Sequence, residues 1–189
     1  MSKKVYLGII SLVSILMLYA CGNGGEKTNS NESMDNNSKT EENMHMNHSS
    51  SGEVPSSLKV AENPTFKVGS KAIIEADHME GMNGAEATIV GAYDTTVYTI
   101  SYTPTNGGER VENHKWVIQE EIKDAGDKTL EPGTEVTIEA DHMEGMEGVT
   151  AEIDSSEKTT VYMVNYTPTT GGEEVKNHKW VTESELTNK

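Results

Sequence analysis

Asp77-His78-Met79-Glu80-Gly81-Met82 gathers into six residues the side chains of this chain best suited to hold a cation. The same six recur as Asp141-His142-Met143-Glu144-Gly145-Met146. Downstream of each set stands Asn-His-Lys-Trp, as Asn113, His114, Lys115, Trp116 and again as Asn177, His178, Lys179, Trp180. Every histidine beyond residue 50 falls in these segments, and so do four of the five methionines beyond residue 60, Met163 being the exception. Gly81 predicts a turn, and a tight turn can aim the thioethers of Met79 and Met82 at one point. Thioether sulfur is a soft donor that selects Cu(I), whereas imidazole accepts copper or zinc. One His with one or two Met makes a three-coordinate site that suits Cu(I) and that Zn(II) and Ca(II) disfavour. Asp77, Glu80, Asp141 and Glu144 are near enough in sequence to orient the imidazoles or to offer oxygen to Cu(II).

Each of these residues also has a purely structural role open to it. His78 could cap a strand end through a backbone hydrogen bond. Met79 and Met82 could fill the mouth of a core as flexible hydrophobes. His114 and Trp116 stand two apart on one predicted strand and share a face, so a core histidine beneath the indole is the alternative to a ligand. Duplication copies folding and binding residues alike and does not choose between them.

The elements that must position these residues are themselves duplicated. Residues 69–121 fall on 133–185 without a gap, with roughly 30 of about 53 positions identical. Within the first copy, strands are predicted at 70–76, 85–93 and 96–103, the last two meeting near Asp94, and at 115–118 before a short helical turn. Residues 104–108 read as a Gly-rich hairpin loop. Several short strands in about 55 residues fit a small SH3-like barrel, so the predicted fold is all-β, two tandem barrels spanning 61–124 and 125–189. Trp116 and Trp180, the only tryptophans, are the expected core anchors.

The N-terminus predicts the compartment. Lys3 and Lys4 precede an apolar run over 5–19, as in a secretory signal, and the run ends at Leu18-Tyr19-Ala20-Cys21, a lipobox in which Tyr19 is bulkier than usual. Cys21, the sole cysteine, is the expected lipidation site after removal of 1–20, which places the protein on the outer face of the cell membrane. Residues 21–60, rich in Asn, Ser, Glu and Gly, read as a disordered tether. Near the tether's end Met44, His45, Met46 and His48 form a second candidate metal-binding group.

A net charge of −16 disfavours nucleic acid and anionic lipid headgroups as partners, because both need clustered Lys and Arg. One cysteine leaves no internal disulfide, and no Gly-x-Ser-x-Gly elbow, His-Glu-x-x-His or phosphate-cradling loop is present. Enzyme is therefore the weakest class.

Read with its lipobox and Met/His tether, the doubled phrase from His78 through Val117, with its Tyr-Thr-Pro-Thr, Gly-Gly and Asn-His-Lys-Trp-Val, resembles the YdhK (DUF1541) family of Firmicute lipoproteins. Some members look like copper-binding surface lipoproteins found with copper-resistance genes. The resemblance implies copper as cargo, Cu(I) favoured, sequestered or buffered outside the membrane. A module that docks on a cell-wall polymer without metal is the rival reading.

Overall fold

The computed structural model describes residues 48–189, which lie within one of the chain's two compact units, Met44–Lys189. Its eight strands are β1 (Lys59–Val60), β2 (Lys71–Ile74), β3 (Glu86–Tyr102), β4 (Val111–Ile118), β5 (Glu135–Thr137), β6 (Thr150–Tyr166), β7 (Val175–Thr182) and β8 (Leu186–Asn188). Short 3-10 turns at Gln119–Glu121 and Glu183–Glu185 follow β4 and β7. The all-β class stands.

The architecture within that class differs from the sequence expectation. The sequence predicts two strands meeting near Asp94, yet β3 runs unbroken for 17 residues, about 55 Å of extended chain. The reason is a partner that local pattern does not reveal: β3 pairs antiparallel along its length with β6, its own copy. Thr95 faces Thr159, its counterpart in the second repeat, so a pseudo-two-fold axis passes between them. Asp94, expected at a turn, instead accepts the hydroxyl of Thr160 across this ladder at 2.8 Å. The extra residue at each of two register shifts, Val90 on β3 and Asp154 on β6, obeys the same symmetry and bends the long pair.

The sheet runs β5-β6-β3-β2-β8, with β1 and β4 also paired to β3 and β7 to β6, and β5 and β8 end the path without meeting. The two closed SH3-like barrels are therefore replaced by one open sheet shared by both repeats. Each main core is composite. One joins Ile74 and Ile89 to Tyr162, Val164, Val181 and Leu186; the other joins Tyr98, Ile100 and Val117 to Ile138, Ala151 and Ile153. A third cluster holds Trp116 and Trp180 against Val97, Val161 and Met163. At about 1.5–3 kcal/mol per fully buried aliphatic side chain, neither repeat keeps its core without the other. The cause of the exchange is visible in β2, which pairs on one edge with β3 and on the other with β8, the last strand of the second repeat.

The described part of the predicted tether, residues 48–60, packs against the sheet. Lys59 and Val60 pair with Asp94 and Tyr93, and Leu58 and Phe66 are buried. Cys21, Met44, His45 and Met46 lie outside the described residues.

Candidate functional site

Each His-Met segment is a tight turn clamped by the other repeat. Met82 N donates to Met79 O at 3.2 Å and Gly84 N to Ile74 O at 2.8 Å, closing the loop after β2. Gly81 has φ 73°, and a Cβ there would meet Thr170 Oγ1 at 2.6 Å and Pro168 at 2.9 Å. That contact comes from the hairpin loop of the second repeat, whose Thr169 N donates to Gly81 O at 2.8 Å. The mirror bond, Thr105 N to Gly145 O at 2.9 Å, clamps the second turn with the first repeat's hairpin.

Carboxylates from opposite repeats then fix the imidazoles. His78 Nε2 lies 2.7 Å from Glu185 Oε1, and His142 Nε2 lies 2.8 Å from Glu121 Oε1. A carboxylate accepts, so each ring donates from Nε2, and in a neutral ring donating there Nδ1 is an acceptor. Glu185 also receives Trp116 Nε1 at 2.8 Å and the backbone N of Thr182 at 3.0 Å. Glu121 receives Trp180 Nε1 at 3.1 Å and the backbone N of Ile118 at 3.2 Å. The 3-10 turns exist in the right place for this: each folds its third residue back onto the end of the preceding strand. Burial opposes charge on Glu185, but the bonds from His78, Thr182 and Trp116 outweigh it and bring the carboxyl down to about 2.

His114 and His178 arrive on β4 and β7, where register shifts against β3 and β6 and a left-handed residue, Asn113 or Asn177 (φ 52° each), kink the strand. His114 stands edge-on to Tyr102 at 5.9 Å and His178 to Tyr166 at 5.7 Å. Burial lowers His114 to about 4 and His178 to about 3, with the neighbouring imidazoles His78 and His142 adding to the effect. Both rings are therefore neutral, with lone pairs available, at ordinary pH.

All four histidines line one cavity of about 600 Å³, together with Met79, Met143, Asp77, Glu80, Asp141 and His48. His78 Nδ1, His142 Nδ1, His114 Nε2 and His178 Nε2 are buried and have no hydrogen-bond partner. Four orphaned ring nitrogens around one cavity are a costly arrangement, at about 1–3 kcal/mol for each unsatisfied buried group. Among the described residues no three His, Cys, Asp or Glu could together hold a metal ion as they stand. Two imidazoles with a thioether are a donor set of a different kind, and one that Cu(I) accepts.

Several sequence expectations change here. Met82 and Met146, expected as ligands in exposed turns, are 0% exposed and sit in the two composite cores, because the clamping hairpins bury the turns. Met79 and Met143 only lean on those cores and reach the cavity. Asp77, Glu80 and Asp141 line the cavity and Glu144 is exposed, but none of them holds an imidazole. Glu121 and Glu185 do, and sequence spacing concealed them because each serves the histidine of the other copy. His78 bonds a carboxylate rather than capping a strand, and it, not His114, lies edge-on to Trp116 at 6.3 Å. Both tryptophans are buried as expected.

The family model for a protein of unknown function, DUF1541, matches residues 68–119 and 132–183, most of both repeats. The chain belongs to the DUF1541 family. Over 187 residues it is 61% identical to YdhK of Bacillus subtilis (strain 168), covering 99% of this chain and 90% of that one. A crystal structure of B. subtilis YdhK, described as a DUF1541 family protein, superposes with a TM-score of 0.74 at 69% identity, covering 77% of this chain and 99% of that one. A solution structure of the YdhK C-terminal domain superposes with a TM-score of 0.62 at 74% identity, covering 65% and 93%. This DUF1541 chain thus shares its tandem repeat and its fold with YdhK.

Proposed function

We propose that this DUF1541 protein is a lipid-anchored extracellular copper-binding protein that sequesters or buffers Cu(I) outside the membrane. One observation carries the reading: four histidines, each with a buried ring nitrogen that lacks a partner, line one cavity together with two methionines. His78, His114, His142 and His178 with Met79 and Met143 would hold the metal, and Glu121 and Glu185 would orient two of the rings. Neutral imidazole and thioether leave the bound ion its full charge, which favours monovalent copper over a divalent ion. Anchoring through Cys21 and an accessory site at Met44, His45 and Met46 belong to the same proposal, as does the absence of catalysis. A wall-binding module would want exposed aromatic faces for sugars, and both tryptophans are buried.

The test is anaerobic competition for Cu(I) between the full chain and a chromophoric chelator, with Zn(II) in parallel. Cu(I) binding that His78→Ala with His142→Ala abolishes, and zinc binding that is weaker by at least tenfold, is the expected result. Equal zinc affinity, or copper binding indifferent to these histidines, rejects the reading.

A further inference from the structure

Each clamped turn carries two methionines three residues apart, and the fold gives them opposite fates. Met82 and Met146 are 0% exposed, and Met163, in the tryptophan cluster, is 4% exposed. Met79 and Met143 are half-buried: each packs on the edge of a composite core and lines the cavity of about 600 Å³. Of the five methionines among the described residues, only these two can meet a small molecule that enters the cavity.

Thioether sulfur does not titrate near neutral pH, so burial rather than protonation decides how fast a peroxide oxidises it. In that reaction a sulfur lone pair attacks one oxygen of the hydroperoxide, and the O–O bond breaks. The departing oxygen takes the remaining hydroxyl proton and leaves as water, or as an alcohol from an alkyl hydroperoxide. Sulfur is oxidised by two electrons, and the peroxide is reduced by the same two. The product, methionine sulfoxide, is polar and chiral, and methionine sulfoxide reductases return it to the thioether. In place of a soft sulfur donor it offers a hard oxygen, which Cu(I) disfavours.

The backbone of each turn is held independently of its outer methionine. Thr169 N donates to Gly81 O and Thr105 N to Gly145 O, each from the opposite repeat. Gly84 N and Gly148 N close the loops onto Ile74 O and Ile138 O at 2.8 Å each. The core side of each turn is filled by Met82 or Met146, which a peroxide in the cavity does not reach. Oxidation at Met79 and Met143 therefore alters the cavity wall and spares the fold.

We propose that Met79 and Met143 are a peroxide-responsive modification site: a hydroperoxide entering the cavity converts both thioethers to sulfoxides, and the chain then loosens its hold on a soft monovalent cation. The release of the cation rests on the copper reading above, whereas the pattern of oxidation rests on burial alone.

The experiment treats the metal-free full chain with hydrogen peroxide and follows sulfoxide at each methionine by peptide mass spectrometry. Cu(I) affinity is measured anaerobically once the peroxide has been removed. Met79 and Met143 should gain oxygen at least tenfold faster than Met82, Met146 and Met163. Cu(I) affinity should fall by at least tenfold while the circular dichroism spectrum is retained, and methionine sulfoxide reductases of both epimer specificities should restore it. Met79→Leu with Met143→Leu separates these two sulfurs from Met44 and Met46: its affinity, already reduced, should not change with peroxide. Oxidation of all five methionines at similar rates, an affinity untouched by the two sulfoxides, or an equal peroxide-induced loss in the leucine variant overturns the proposal and leaves the histidine-based copper reading intact. An unoxidised chain that binds no Cu(I) overturns both.

Discussion

His78 and Glu185 are 107 residues apart in the chain and 2.7 Å apart in the fold. The carboxylate that aims the first repeat's imidazole thus comes from the last turn of the second repeat, and Glu121 returns the arrangement to His142. A ring held in this way keeps one fixed orientation. Neither repeat can build its half alone.

Glu185→Gln tests that dependence. An amide oxygen can still accept from His78, but the amide nitrogen that would face Trp116 and Thr182 is a donor, and their N–H groups lose their acceptor. Thermal denaturation should show a loss of about 1–3 kcal/mol. Cu(I) affinity should fall by about 10- to 100-fold, as for other residues that orient metal-binding imidazoles. Unchanged affinity would show that the ring orientation does not depend on the carboxylate.

The methionines divide by position. Met82→Ala and Met146→Ala should each cost about 2–5 kcal/mol of stability, because both side chains are fully buried. Met79→Ala with Met143→Ala should leave the melting curve nearly unchanged and weaken Cu(I) binding, since these two side chains face the cavity. The reverse pattern would reassign the thioethers.

Acid should loosen the metal-free protein in a defined window. His114 and His178 titrate near 6.5 when unfolded and at about 4 and about 3 when folded, so the unfolded state binds more protons between these values. Stability from these two groups is complete above pH 6.5 and declines as pH falls toward 4 and 3, by an amount on the order of a few kcal/mol. Glu185, depressed to about 2, adds a second loss as pH falls from the ordinary carboxylate range through that value. Urea midpoints measured from pH 7.5 to 3 should fall with decreasing pH, and His114→Gln should flatten the slope between pH 6.5 and 4. A midpoint independent of pH across that span would contradict the burial of both rings.

The tether segment gives a test of capacity. Replacing Met44, His45 and Met46 with Ala should reduce the number of Cu(I) ions bound at saturation while preserving the tightest affinity, because those residues must be ordered on binding at about 1–2 kcal/mol each. Loss of the tightest site instead would make the tether the principal chelator.

The all-β class, the duplication, the hairpin over 104–108 and the chemical identity of the cluster were all legible from residue types and spacing, because alternation, turn residues and donor softness are local properties. His78, His114, His142 and His178 could be singled out for the same reason. What the linear pattern could not convey was which copy completes which. Strand pairing has a period of two and is satisfied equally by a strand of the same repeat or of its twin, so two barrels and one exchanged sheet have the same alternation. Tertiary packing decided between them when β3 found β6 along its whole length. That choice carried Glu121 and Glu185 to the imidazoles of the opposite repeat, buried Met82 and Met146 beneath clamped turns, and laid Ser49 and Ser50 on the β7 kink. Side-chain chemistry is written residue by residue; convergence on one cavity depends on contacts between distant segments, and those exist only once the shared sheet has formed.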